Sequence, residues 1–492
     1  MRHLWLSVGL AVCPALALCQ HPVPANLSLA DAITLARANN PAYRQAIHDR
    51  SPAAWGVRNA YSSLLIPTVT ASGGLGYAGP GQQRFLTSNF SQSVSTTSSN
   101  YSLALDWTLS GLTLSQPGLK HAQLSAADAD IAGAETNLVT AVTEQYLTVL
   151  QARDNAAVAR QQLDHDEEFL KLAQARYDVG RASLIDVRQA QVARGNAEVV
   201  LLRAQTSVDV EKLRLFQQIG VTAPVDVQNV QLTDTFVLQA PTWKLNELLT
   251  QAEQQNPPLK ALRARESAAG WGVKAATSSY GPTVSLSAGW SGFTQKLSDI
   301  NPSLAAIDTN AAANVQTCQY ANTAWLNTGQ TPLDCSIYSA DATARKQALQ
   351  AQNQAYPFQF TPQPFQARLT ISIPLWGNFQ QPLQVSQAKA QQQDLQESVR
   401  ARGLQVQTDV SQAYLTLQTA YRATAIQDTN RAAARDVLQL ATERYRVGSG
   451  TFFELLDAQV AALRAETDYV NAVFDYHKAL AALEAAVGRP LR

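Results

Sequence analysis

The sequence predicts an α+β membrane protein, a duplicated unit of two β-strands plus long α-helices whose strands must join those of other copies. Three observations predict it. The first is repetition. Arg176-Tyr177-Asp178-Val179-Gly180 returns as Arg444-Tyr445-Arg446-Val447-Gly448, and Tyr146-Leu147-Thr148 returns as Tyr414-Leu415-Thr416, at one separation of 268 (445 − 177). The second is a set of four segments that alternate apolar and polar residues, the period of a strand. The third is a pair of stretches of roughly sixty residues each, rich in Ala, Gln, Leu and Val. At about 1.5 Å per residue each makes a helix near 90 to 100 Å, longer than any globular core needs.

The elements follow in order. Arg2 and His3 precede the apolar run Leu4 to Leu18, and Ala15-Leu16-Ala17 fits a cleavage site, so residues 1–19 read as an export signal. Cys19 is an alternative lipidation site, disfavoured by bulky Leu18 before it. Repeat 1 spans 20–219. Leu29 to Ser63 is expected to be helical, bent around Pro41 and Pro52. Val69, Ala71, Leu75 and Tyr77 alternate with Thr68, Thr70 and Ser72 in a strand. A polar loop should reach about Asn100, followed by a strand with Tyr101, Leu103, Leu105, Trp107 and Leu109 on one face. A long helix is expected from about Gln116 to Asp178 and a return helix from Ser183 to Gln218. Residues 220–243 read as a low-charge linker with Pro224 and Pro241.

Repeat 2, residues 244–492, uses the same plan. Asn256-Pro257 matches Asn40-Pro41, and Pro282-Thr283-Val284 matches Pro67-Thr68-Val69 (282 − 67 = 215). The offset then rises to 268, so this copy carries an insertion of 53 residues (268 − 215), read as a long loop. Helix is expected over Leu245 to Ala276 and strand over Thr283 to Trp290. A second strand covers Phe365 to Ile373 and stops at Pro374. The long helix runs from Leu383 to Arg446 and the return helix from Thr451 to Val487.

Composition narrows the class. Charged residues are 15% and the formal net charge is zero, which argues against a nucleic-acid partner. No stretch after the signal is apolar enough for a membrane helix, but barrel strands escape such a scan. The scattered His residues lack metal-ligand spacing, and there is no nucleophile elbow, P-loop or H-E-x-x-H pattern. Catalytic, cofactor and metal sites are therefore expected to be absent. Cys318 and Cys335, an even pair in an exported segment, are expected to form a disulfide. Four strands cannot close a barrel, and an open edge is not tolerated in hydrocarbon. The strands must be shared among copies of the chain in closed symmetry.

Signal, helix with Asn-Pro, Pro-Thr-Val strand, loop, strand, long helix, Val-Gly turn and return helix, all repeated, resemble the TolC-like outer-membrane efflux proteins. The most specific parts are the two Arg-Tyr-x-Val-Gly turns, with Asp186 after the first and Glu454-Leu455-Leu456-Asp457-Ala458-Gln459 after the second. The resemblance implies a homotrimer with a 12-stranded barrel in outer-membrane lipid, continued by a periplasmic α-helical barrel. It implies a periplasmic adaptor (membrane fusion) protein and an inner-membrane pump as partners. The chain would be the passive, gated exit duct of a tripartite efflux pump or type I secretion system. Val179, Gly180, Val447 and Gly448 would form the adaptor-contacting hairpin tips. Glu454 and Asp457 would ring the entrance, with Asp186 equivalent to Glu454 in copy one. Tyr445 matches a tyrosine that holds the entrance closed. Gly450 stands where an arginine of the closing network is usual, which leaves Arg446 or Arg181 to replace it. A stand-alone diffusion porin would not need adaptor-length hairpins, and a periplasmic coiled-coil structural protein would not need alternating strands.

Overall fold

The computed structural model describes residues 24–85, 88–92, 94–327 and 329–491. The export signal and Cys19 lie outside the described residues. The chain opens with β1 (Asn26–Leu27), α1 (Leu29–Asn39) and α2 (Pro41–Leu65). Then come β2 (Thr68–Ala78), β3 (Gly81–Phe85), β4 (Ser88–Gln92) and β5 (Thr96–Leu109). The first long hairpin is α3 (Gly111–Asp178) and α4 (Leu184–Ile219), and β6 (Gln231–Leu232) lies in the connector. Copy two supplies α5 (Leu245–Gln255), α6 (Pro257–Thr277), β7 (Thr283–Leu297), α7 (Asn301–Leu326), α8 (Ser336–Gln354), β8 (Thr361–Pro362) and β9 (Gln366–Ser372). It ends with α9 (Gln380–Val447) and α10 (Phe452–Val487). The chain folds as two compact units that cut across the repeats. One holds the residues up to Val57, Gly118–Gly270 and those from Ala388; the other holds Arg58–Pro117 and Trp271–Gln387.

The second unit is built on an antiparallel sheet in the order β2-β5-β7-β9, with short β8 also on β7. Its register keeps like residues in rows. Val69 pairs with Leu105, Leu105 with Ala288, and Ala288 with Ala367. The adjacent row is polar: Thr68, Asp106, Ser287 and Arg368. A slip of one residue would move each apolar set to the other face. From Leu109 and Val284 up to Tyr101 and Gly292 one face is therefore apolar, and the other carries Ser, Thr, Asp and Arg. Each of β2 and β9 pairs on one side only among the described residues, leaving two edges of unpaired backbone.

The strands run longer than alternation suggests. β5 begins at Thr96 rather than Tyr101, and β7 continues past Trp290 to Leu297. In Thr96-Thr97-Ser98-Ser99-Asn100 both faces are polar, so the periodic signal vanishes while ladder pairing to β2 and β7 persists. The loop read between the first two strands also contains the paired β3 and β4.

The insertion is the larger correction. It is not a long loop but the helices α7 and α8, which pack on each other and are joined through Cys318 and Cys335, whose Cα atoms lie 5.8 Å apart. Among the less exposed positions of α7, Leu304, Ile307, Ala311, Val315, Cys318, Asn322 and Trp325 are spaced three and four apart. That seam is helical in period. Its small and polar members hid it among Ala, Asn, Gln and Thr. Asn353 Oδ1 accepts from Leu297 N at 2.6 Å, which fixes the foot of α8 to β7.

In the helical unit the duplicated Asn-Pro has a physical cause. Asn40 donates to Gln218 O at 2.7 Å and accepts from Tyr43 N; Asn256 donates to Ala486 O at 3.1 Å and accepts from Leu259 N. Each Asn thus ends one helix, starts the next at the proline, and ties that break to the end of a return helix. The approach is close. A Cβ at Gly220 (φ +83°) would sit 2.8 Å from Asn39 O, so glycine is required there.

Two cores mirror the repeat. One gathers Leu27, Val142, Tyr146, Leu215, Phe216 and Ile219; the other gathers Leu248, Val410, Leu417, Tyr476, Leu483 and Val487. The connector belongs to the first core. Val221, Val227, Val230 and Leu232 are buried in it, and β6 pairs in parallel with β1. Asp234 Oδ2 accepts from Leu29 N at 2.6 Å and from Tyr146 OH at 2.8 Å. Among the described residues no helix is long and apolar enough to cross a membrane.

Candidate functional site

The site is the pair of turns where the long helices reverse. In copy one α3 ends at Asp178, Gly180 takes φ +73°, and Ser183 caps α4. In copy two α9 ends at Val447, Gly448 takes φ +88°, and Thr451 caps α10. Both turns close alike. Arg181 N donates to Arg176 O at 2.8 Å and Ser449 N to Arg444 O at 2.9 Å, the bond from beyond the glycine back to the last helical turn. Each motif arginine also folds over its own turn. Arg176 Nη2 donates to Arg181 O at 3.3 Å, and Arg444 Nη2 to Ser449 O at 3.5 Å. The repeated Arg-x-x-x-Gly is thus a self-closing helix end.

The predicted site residues all lie at these turns. Val179 and Val447 are 69% and 75% exposed, beside exposed Gly180 and Gly448. Asp186 completes a capping box: its carboxylate accepts from Ser183 N at 3.0 Å while Ser183 Oγ accepts from Asp186 N at 3.2 Å. Glu454 sits in the first turn of α10, where a carboxylate suits the helix dipole, and pairs with Arg444 at 3.6 Å across half-exposed side chains. Such an exposed pair contributes little to stability. Asp457, one turn on, is exposed.

Tyr445 is different. It is 3% exposed, within a cluster of Phe169, Ala173, Val187 and Ala190 from copy one and Phe452 and Leu455 from copy two. The Phe452 ring meets it edge-on at 5.8 Å. Its hydroxyl is buried without a hydrogen-bond partner among the described residues. Burial raises its pKa, the Arg176 charge opposes that, and the Asp186 charge adds to it.

Sequence reasoning missed one residue. Arg176 lays its guanidinium over the Tyr445 ring, 4.5 Å from the centroid, and donates through Nη1 to Tyr445 O. The expected substitutes do not do this. Arg446 pairs with Glu443 on its own helix at 3.5 Å, and Arg181 offers Arg176 its carbonyl. Gly450 is itself confined, since a Cβ there would lie 3.2 Å from Tyr445 N. Among the described residues no group of three His, Cys, Asp or Glu is placed to hold a metal.

The chain matches a known family model over residues 32–221 and 339–489, which include both long hairpins and their turns; the family is described as outer membrane efflux protein. The chain belongs to this family. It is therefore a protein of the outer membrane, and its family is one of efflux proteins rather than enzymes. It is similar to the outer membrane efflux protein BepC of Brucella suis biovar 1, at 24% identity over 75% of this chain and 66% of that relative, just under two thirds of its length. A shorter match, 27% identical over 33% of this chain and 37% of the relative, is to the outer membrane protein TolC of Vibrio cholerae. Among solved structures, the outer-membrane channel OprN superposes with a TM-score of 0.69 at 18% identity, covering 94% of this chain and 89% of that one. VceC of Vibrio cholerae gives 0.67 at 16% identity, covering 94% and 97%. At these identities the superpositions show the fold.

Proposed function

We propose that the chain is the passive exit duct of a tripartite efflux pump or type I secretion system, gated at its periplasmic helix tips. One observation carries this reading: a four-stranded sheet with an apolar band across one face and two edges unpaired among the described residues. In water that face would be covered and in lipid those edges would be closed. Three copies give twelve strands, and the apolar face then meets lipid while the Ser, Thr, Asp and Arg rows line water. Trp107 lies low on the apolar face, and Trp290 and Phe365 pack with tilted rings 4.8 Å apart toward its other end, as aromatic girdles do.

The helical hairpins serve the periplasmic side. Exposed Val179-Gly180 and Val447-Gly448 offer small, apolar tips for an adaptor that links the duct to an inner-membrane pump. Glu454 and Asp457 lie three residues apart on one helix face. Two carboxylates per protomer become six in a trimer, enough to attract cations at a narrow mouth. Energy comes from the pump. The test is a photo-crosslinking residue placed at Val179 or Val447 in intact cells, with Val225, a connector position, as control. Capture of an inner-membrane-anchored adaptor at the tips and not at Val225 is expected. Tips that capture no adaptor in cells expressing a working pump would overturn the coupling.

A further inference from the structure

The two motif arginines occupy equivalent positions, yet they make different second contacts. Arg444, after closing its own turn, reaches Glu454 at the surface. Arg176, after closing its turn, crosses to copy two. Its half-buried guanidinium stacks on Tyr445, donates to Tyr445 O, and lies 3.5 Å from where a Cβ of Gly448 would be. One side chain therefore touches three structures at once: the copy-one turn, the last turn of α9, and the copy-two turn glycine. A planar fork with several donors suits such a junction, and a lysine could not reproduce it. Gly450 brings no side chain to this junction, and one there would crowd Arg444 and the backbone of Tyr445.

We infer that Arg176 is the positioning residue that holds the copy-two hairpin against the copy-one hairpin and so keeps the resting entrance closed. The inference rests on the duct reading. Opening an entrance built from paired hairpins requires one hairpin to move relative to the other. Copy-two motion separates Tyr445 from Phe169, Ala173, Val187 and Ala190, and it breaks the charge-assisted bond from Arg176. The apolar contact resists any separation. The arginine bond is directional and fixes one arrangement. Its loss shifts a two-state equilibrium rather than unfolding the tip.

The experiment is single-channel recording of the full-length protein in planar bilayers. Arg176→Gln is expected to raise the open fraction roughly tenfold, the size of one lost charge-assisted hydrogen bond. Arg446→Gln should leave it unchanged. Arg176→Lys, which keeps the charge but loses the fork and the stack, should also raise it, and it carries the test if the Gln variant assembles poorly. Tyr445→Leu combined with Arg176→Gln should open less than the sum of the two alone, because both act at one contact. Assembly is checked by native mass. Resting behaviour in well-assembled Arg176→Gln and Arg176→Lys, or equal opening by Arg446→Gln, overturns the inference. A wild-type protein that forms no channel would instead overturn the duct reading.

Discussion

The two hairpin tips share a sequence and differ in what covers them. Tyr445 is almost wholly buried, whereas its equivalent Tyr177 is 40% exposed. Phe452 is buried, whereas its equivalent Leu184 is exposed. The copy-two tip turns its aromatic face onto copy one, whereas the equivalent copy-one side chains, Tyr177 and Leu184, face away from that contact and stay exposed among the described residues. Pseudo-symmetry explains the difference. In a ring of identical copies, the copy-one face of each chain would receive the copy-two face of the next, as β9 of one chain would receive β2 of another. The single chain is finished at one tip and unfinished at the other.

The largest test of this contrast is truncation. Tyr445→Ala should cost about 3 to 5 kcal/mol of local stability, the range for emptying a buried aromatic site. Hydrogen exchange should speed up at the last turns of α9 and the first of α10. In the dissociated single chain, where Tyr177 is 40% exposed, Tyr177→Ala should leave that region within about 0.5 kcal/mol. Equal effects from the two would dissolve the asymmetry.

A second test asks whether the copy-two tip faces a water-filled mouth. Glu454→Gln with Asp457→Asn removes two charges per chain at nearly constant size. Carboxylates clustered within a Debye length, about 8 Å at physiological salt, are incompletely screened. Cation preference and block by multivalent cations should fall in bilayer recordings while assembly stays intact. Unchanged selectivity would return both residues to a solvated helix face.

The smallest effect sharpens the role of the buried hydroxyl. Because Tyr445 OH has no partner among the described residues, Tyr445→Phe should be nearly neutral or slightly stabilising at pH 7. Its pKa is raised above the usual 10.0, so the folded tip holds its proton more tightly than the opened tip. Stability contributed this way is present below pH 10 and falls as pH rises past it. Tip protection should therefore weaken above pH 10 in the wild type. Tyr445→Phe should lose that component of the pH dependence.

Much of this was legible in the sequence, for identifiable reasons. The turns were found because Val-Gly appears twice at one offset, and a positive-φ glycine has few substitutes. β2 and β9 were found because their alternation is strict. α7 was missed because past Leu304 and Ile307 its seam continues as Ala311, Val315, Cys318 and Asn322, which register weakly as an apolar stripe. The connector 220–243 read as a linker although four of its side chains join the first core, because isolated valines carry no periodicity. Arg176 was invisible for a different cause. Its partner Tyr445 lies 269 residues away, and its motif twin Arg444 gives no sign that only one of the pair crosses over.

The central claim is that one chain is incomplete and that copies of itself complete it. Native mass measurement of the envelope-purified protein in mild detergent tests this most directly, with circular dichroism on the same sample. Three copies of the chain with intact β-structure are expected. A stable monomer that keeps its strands would contradict the account.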